Sequence, residues 1–171
     1  MLKYFLPSKH VKSIFDIYPE SLNEQSVKGI ITDLDNTLVA WDAPHATSKI
    51  AEWFRQMNEH HIHITIISNN NLERVKKFSE PLNAPFLFNA RKPLPHSFKR
   101  AAKEMKLSQD NIIVIGDQLL TDVLGGNLAG FSTILVTPIA QTDSKATRFN
   151  RKIERRILSY MRKKGKISWE E

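Results

Sequence analysis
A chain of 171 residues with 41% apolar and 25% charged side chains fits one domain of ordinary size and is too apolar for a disordered or fibrous protein. Without a single cysteine it forms no disulfide framework and no cysteine-ligated zinc site, and it lacks the run of about 18 apolar residues that a spanning helix needs. The net charge of +7 is unevenly placed: residues 1–144 balance at fifteen basic and fifteen acidic side chains, whereas residues 145–171 carry ten against three, as a segment that contacts a polyanion does.

In chain order, the apolar start Met1-Leu2-Lys3-Tyr4-Phe5-Leu6-Pro7 is too short for the core of a signal peptide and has no small-residue cleavage site after it. The expected location is therefore cytoplasmic. Residues 10–17 read as a short amphipathic segment packed on a sheet edge. Gly29-Ile30-Ile31 is the first buried strand. Ser48–Glu59 follows as a helix with Ile50, Trp53, Phe54 and Met57 on one face. Then come a strand at 62–67, a helix at 72–78, a strand at 86–88, a helix at 95–105, a strand at 112–115, a helix at 119–128 ended by Gly130, and a strand at 133–136. After Pro138 a last helix is predicted over 147–162, within a basic stretch of about 145–166. Short apolar runs alternating with amphipathic stretches predict an α/β fold. The expectation is a three-layer, Rossmann-like arrangement around a mainly parallel five-stranded sheet, with right-handed crossovers and no cap domain. Residues 1–171 read as one domain with its core at about 28–137.

In such sheets the site lies beyond the carboxyl ends of the strands. Asp33-Leu34-Asp35-Asn36-Thr37 follows the first strand, Ser68-Asn69-Asn70 the second, Arg91-Lys92-Pro93 the third, and Gly116-Asp117 the fourth, with Thr121-Asp122 further on. Four strand ends thus deliver carboxylates, a hydroxyl and an ammonium to one rim.

Those residue types suit phosphoryl transfer, which needs a positioned nucleophile and neutralisation of charge on the phosphate oxygens. Asp33 is the candidate nucleophile, forming an aspartyl-phosphate. Asp35, two residues on and on the same face, is the candidate acid and base. A carboxylate and a phosphate repel, so a hard cation must bridge them, and an oxygen-only site suits Mg²⁺. Asp33, Asp117 and the backbone carbonyl of Asp35 are its predicted ligands. Asp122 is read either as a ligand through water or as the group that orients Lys92. Ser68 and the backbone around Leu34 and Asn69 are expected to donate to the phosphate, and Lys92 to hold it as a point charge. Thr37 is expected to shape the loop, and Gly116 to permit a close approach of backbone.

Singly, these signals are weak. Paired acids sit at turns and N-caps, serines cap helices, and lysines before proline are commonly solvated. The order and strand context of the four segments carry the reading. His60, His61 and His63 straddle a helix end and a strand start and read as solvated rather than as a metal cluster. Trp41 and Trp53 read as packing residues. His45 fits a helix entry or a substrate contact, and Arg91 an exposed position or a phosphate contact.

The four segments resemble the motifs of the haloacid dehalogenase (HAD) superfamily of aspartate-nucleophile phosphatases, over about residues 29–136. The stretches 33–42 (DLDNTLVAWD) and 116–130 (GDQLLTDVLGGNLAG) are similar to its capless YqeG-type branch, itself similar to phosphatidylglycerophosphate phosphatases. The resemblance implies Asp33 as nucleophile, Asp35 as acid and base, and Asp117 as a magnesium ligand.

The intervals from Asp35 to Ser68 and from Ser68 to Lys92 each accommodate one helix and one strand, which leaves no room for a cap. An open crevice suits a lipid headgroup, a phosphoprotein or a nucleic-acid end. Across residues 145–166, Lys145, Arg148, Arg151, Lys152, Arg155, Arg156, Arg162, Lys163, Lys164 and Lys166 stand against Glu154 alone, with Ile153, Ile157, Leu158 and Met161 as an apolar stripe. They fit an anionic membrane, RNA, a solvated helix, or a helix laid by its stripe on the domain itself. The leading expectation is a phosphatase acting on a phospholipid monoester such as phosphatidylglycerophosphate, peripheral at the inner membrane face. Its rivals are a phosphatase of a soluble nucleotide, sugar or protein phosphate, and an RNA- or ribosome-binding module with a vestigial site.

Overall fold
In the computed structural model, which describes residues 2–140, 142 and 145–169, the chain runs through β1 (Lys9–Val11), α1 (Pro19–Glu24), β2 (Gly29–Thr32), α2 (Ser48–Glu59), β3 (His63–Ile67), α3 (Leu72–Ser79), β4 (Phe86–Leu87), α4 (His96–Met105), β5 (Ile112–Gly116), α5 (Leu124–Ala129), β6 (Ser132–Val136) and α6 (Lys145–Lys163). A π-helical turn, Leu119–Val123, leads into α5. Met1, Glu170 and Glu171 lie outside the described residues. The strands form one sheet in the order β1-β6-β5-β2-β3-β4, parallel throughout.

Both faces of the sheet are covered, which is why its central strands read as continuous apolar runs. Side chains alternate between the faces. Ile30 packs with Ile50, Trp53, Phe54 and Met57 of α2 and Val75 and Phe78 of α3. Ile31 packs instead with Phe98, Ala101 and Ala102 of α4 and with Ala129 at the end of α5. Each such fully buried aliphatic or aromatic side chain contributes about 1.5–3 kcal/mol. Thr47 caps α2 by accepting from Ile50 N at 3.2 Å. Gly130, at φ +92°, ends α5 in the left-handed conformation that glycine adopts without strain.

The sheet has six strands, not the five expected. The segment placed on the sheet edge contributes a strand of its own, β1, paired through Lys9–Ile134, His10–Leu135 and Val11–Val136. Three residues with a single buried side chain leave no apolar run to detect. The last helix ends at Lys163 and docks on the domain: Leu158 and Met161, with Ile167 beyond the helix, pack against Leu119, Val123 and Leu135. No cap is inserted. Between β2 and β3 the helical segment is α2, and between β3 and β4 it is α3 with a short 3-10 turn.

Candidate active site
From β2 the chain moves outward through β3 to β4, then returns to the other side of β2 for β5 and β6. The carboxyl ends of β2 and β5 flank this switch point, where side chains can enter a crevice that no crossover covers. Asp33 directly follows β2 and Asp117 directly follows β5. A crevice of about 420 Å³ opens there, lined by Asp33, Asp35, Ser68, Asn69, Lys92 and Thr121 among others, with Thr147 and Asn150 of α6 at its border.

Lys92 is the centre of the charge arrangement. Its Nζ donates to Asp33 Oδ1 at 2.6 Å and to Asp122 Oδ1 at 2.7 Å, with 3% of the side chain exposed. Thr37 Oγ1 donates to Asp117 Oδ1 at 3.0 Å and lies 3.5 Å from Asp33 Oδ2, so those two carboxylate oxygens approach one another across its hydroxyl. Asp122 Oδ2 accepts from Gln118 N at 3.1 Å. Gly116 makes room for Asp122: a Cβ at position 116 would lie 2.3 Å from Asp122 Cβ and Cγ. Asp117 is also gripped by Arg151 of α6. Nη1 donates to its carbonyl oxygen at 2.7 Å, and Nη2 to Oδ2.

Asp33, Asp117 and Asp122, all buried, each offer a carboxylate oxygen within 4.8 Å of the others'. Three carboxylates against the two cations Lys92 and Arg151 leave an excess of negative charge out of water. Burial pushes Asp117 well above the usual carboxyl range, with Asp33 and Asp122 adding to the rise and Arg151 opposing it. Burial also raises Asp122, against the pull of Lys92. For Lys92, burial disfavours the ammonium, but Asp122 and Asp33 outweigh it and raise its pKa, so it stays charged. Thr121 Oγ1, also buried, has no hydrogen-bond partner among the described residues. Surplus carboxylate oxygens and an orphaned hydroxyl are a donor set that suits a hydrated hard cation.

Asp35 lines the same crevice with other partners. Arg74 donates to its Oδ1 from Nε at 3.0 Å and Nη2 at 2.8 Å, and Asn70 Nδ2 donates to Oδ2 at 3.1 Å. Its carboxylate thus stands at the rim, while Asp122 is the third member of the acidic cluster. Both readings of Asp122 are compatible with this position, since it contacts Lys92 and lies beside Asp33 and Asp117. Ser68 Oγ is buried and accepts from Asn70 N at 3.0 Å, which leaves its hydroxyl hydrogen for another acceptor. The Asn69 side chain turns to the backbone of Lys92.

Sequence reasoning missed three contributors. Arg74 and Arg151 act on acids 39 and 34 residues away, and no local pattern announces such pairs. Asn36 takes φ +65°, donates from its backbone N–H to Val39 O at 2.7 Å and accepts at its side chain from Trp41 N at 3.1 Å. The signal was there, because asparagine after Asp-x-Asp is a residue that tolerates left-handed turns. His45 and His63 are exposed, and His60 Nε2 lies 3.4 Å from Glu20 Oε1, so these three histidines stay outside the site. Trp53 is buried and donates to Ile17 O at 3.2 Å, whereas Trp41 borders the crevice. Arg91 is exposed.

A parallel sheet with an aspartate at its switch point and a lysine buried between carboxylates, with no cap inserted between β2 and β4, frames the crevice. Residues 89–155 match the HAD-hydrolase-like family, and the chain belongs to this superfamily, in its phosphatase branch. It is 60% identical over 169 residues to the probable phosphatase YqeG of Bacillus subtilis, covering 99% of this chain and 98% of that protein. It is 24% identical to phosphatidylglycerophosphate phosphatase 1, chloroplastic/mitochondrial, of Arabidopsis thaliana, covering 95% of this chain and 50% of that protein. Among solved structures, the cobalt-bound deoxy-D-mannose-octulosonate 8-phosphate phosphatase of Haemophilus influenzae superposes with a TM-score of 0.56 at 16% identity, over 66% of this chain and 69% of that one. That is a likeness of fold.

Proposed function
We propose that the protein is a magnesium-dependent phosphomonoesterase that works through an aspartyl-phosphate on Asp33, with a phospholipid monoester such as phosphatidylglycerophosphate as its leading substrate. The observation that carries the chemistry is the position of Asp33, at the end of β2 with Lys92 Nζ at 2.6 Å and two further carboxylates beside it.

Asp33 attacks phosphorus and the bond from phosphorus to the ester oxygen breaks. Asp35 gives its proton to the departing alkoxide. Water then attacks the acyl phosphate while Asp35 takes its proton, the bond from phosphorus to Asp33 breaks, and inorganic phosphate leaves with the Asp33 carboxylate restored. Lys92 and the Ser68 hydroxyl hold the phosphoryl oxygens through both halves. To reach the leaving oxygen, Asp35 gives up one of its bonds to Asn70 or Arg74. Mg²⁺ held by Asp33 and Asp117, with Asp122 beside them, would offset the repulsion between nucleophile and phosphate.

Two features support the lipid class. The curated relative matched at 24% identity is a phosphatidylglycerophosphate phosphatase by name. In addition, the helix bordering the crevice turns a basic face outward. Its apolar stripe is buried at Leu158 and Met161, while Arg148, Lys152, Arg156 and Lys163 are exposed, together with Phe149 at 68% and Tyr160 at 48%. Basic residues near an anionic surface contribute about 1 kcal/mol each, and aromatic rings favour the interfacial layer. No helix among the described residues is long and apolar enough to cross a membrane. Turnover of phosphatidylglycerophosphate in anionic vesicles, beside a soluble aryl phosphate and with and without Mg²⁺, tests the reading. Magnesium-dependent hydrolysis that favours the vesicles is expected. Preference for the soluble ester would remove the lipid assignment, and absence of hydrolysis of both would remove the chemistry.

A further inference from the structure
The helix expected to serve as a charged tail also reaches the catalytic carboxylates. We infer that Arg151 is a positioning residue of the metal centre, and that α6 clamps the loop after β5 so that Asp117 presents one chosen oxygen to a divalent cation. This rests on reading the Asp33, Asp117 and Asp122 cluster as a metal site.

Three contacts carry the inference. First, the Arg151 guanidinium forks onto Asp117, holding both its carbonyl oxygen, at 2.7 Å, and its Oδ2. A planar fork on main chain and side chain together fixes position and rotamer, which a point charge does not. Second, the oxygen left over is Oδ1, which accepts at 3.0 Å from the Thr37 hydroxyl, itself 3.5 Å from Asp33 Oδ2. Arg151 thus holds the outer oxygen and leaves the inner one turned toward the cluster. Third, the clamp has a second jaw. One turn along α6, buried Glu154 accepts from Leu120 N at 2.9 Å through Oε1 and from Arg151 Nη1 at 3.1 Å through Oε2. Residues 117–120 are therefore held at both ends by one helix, which Leu158 and Met161 anchor against Leu119, Val123 and Leu135.

The opposite role would be a competitor, with the guanidinium filling the cation's place. It predicts the opposite sign, because removing Arg151 would then tighten metal binding. Groups that orient metal ligands from outside typically cost 10–100-fold in metal affinity when removed.

Mn²⁺ titration of the full chain, followed by electron paramagnetic resonance, separates the two without a substrate. Arg151→Ala is expected to weaken Mn²⁺ binding by about 10–100-fold, and Arg151→Lys, which keeps the charge but not the fork, to recover part of the loss. Circular dichroism establishes that the variants are folded. If Arg151→Ala does not fold, Arg151→Gln takes its place with the same expectation. Affinity in the alanine or glutamine variant equal to or tighter than wild type overturns the inference. If the wild-type chain itself fails to bind Mn²⁺, the metal-centre reading falls and this inference with it. If wild type binds and the variants bind equally well, the inference alone falls.

Discussion
Asn69 and Lys92 hold one another through a closed pair of hydrogen bonds: Lys92 N donates to Asn69 Oδ1 at 2.7 Å, and Asn69 Nδ2 donates to the Lys92 carbonyl oxygen at 3.1 Å. The side-chain amide behaves as a piece of backbone, tying the loop after β3 to the loop that carries the lysine. Asn69→Ala removes both bonds and lets Lys92 shift. A misplacement on the order of 1 Å costs about 10²-fold in rate. The expected result is a fall in kcat/KM of that order, measured by steady-state kinetics on a soluble phosphate ester.

Asp33→Asn keeps the shape of the side chain and removes the proposed nucleophile. It also takes one charge out of a buried cluster that holds more carboxylates than cations. Turnover should fall by at least about 10³-fold, while thermal stability stays level or rises. Mass spectrometry after acid quench should detect a phosphorylated chain in wild type and none in this variant.

Gly116→Ala should damage stability and chemistry together. The added methyl would lie 2.3 Å from Asp122 Cβ and Cγ, and Asp122 cannot withdraw without leaving Lys92 and Gln118 N. Overpacking of this kind costs typically about 1–3 kcal/mol, readable as a lower midpoint in urea denaturation.

His10 links acidity to docking of the C-terminal segment. Its ring stacks on Trp169 with centroids 5.1 Å apart, and burial lowers its pKa from 6.5. In the window below 6.5 the unfolded chain takes up a proton that the folded chain does not, so this contribution is whole above 6.5 and is lost as pH falls through that window. Melting temperatures from about pH 7.5 down to about pH 5.5 should fall more steeply in wild type than in His10→Phe.

Much of the architecture was legible because two-sided burial writes itself into the chain. Ile30 and Ile31 face opposite helical layers, so their strand is apolar throughout, and the four strand ends follow from that. The edge strand Lys9–Val11 was not legible, since a strand with one buried side chain carries no period. Within the crevice, residues next to strand ends could be read, whereas Arg74 and Arg151 could not, because their partners are chosen by the tertiary fold. The apolar stripe of α6 allowed docking on the domain, but nothing in its charge pattern announced the polar contacts with Asp117 and Leu120. The clue was Glu154, the single acid among the tail's basic residues, one turn from Arg151. A lone carboxylate in such a helix is a residue with a partner to hold.

The contacts of α6 with Asp117 and Leu120 set an order of assembly. During synthesis, everything from β1 to β6 leaves the ribosome before Arg151 and Glu154 do. Until they emerge, the loop after β5 lacks both of its clasps. The closing helix thus arrives last, and with it the two-sided hold on the loop that opens with Asp117.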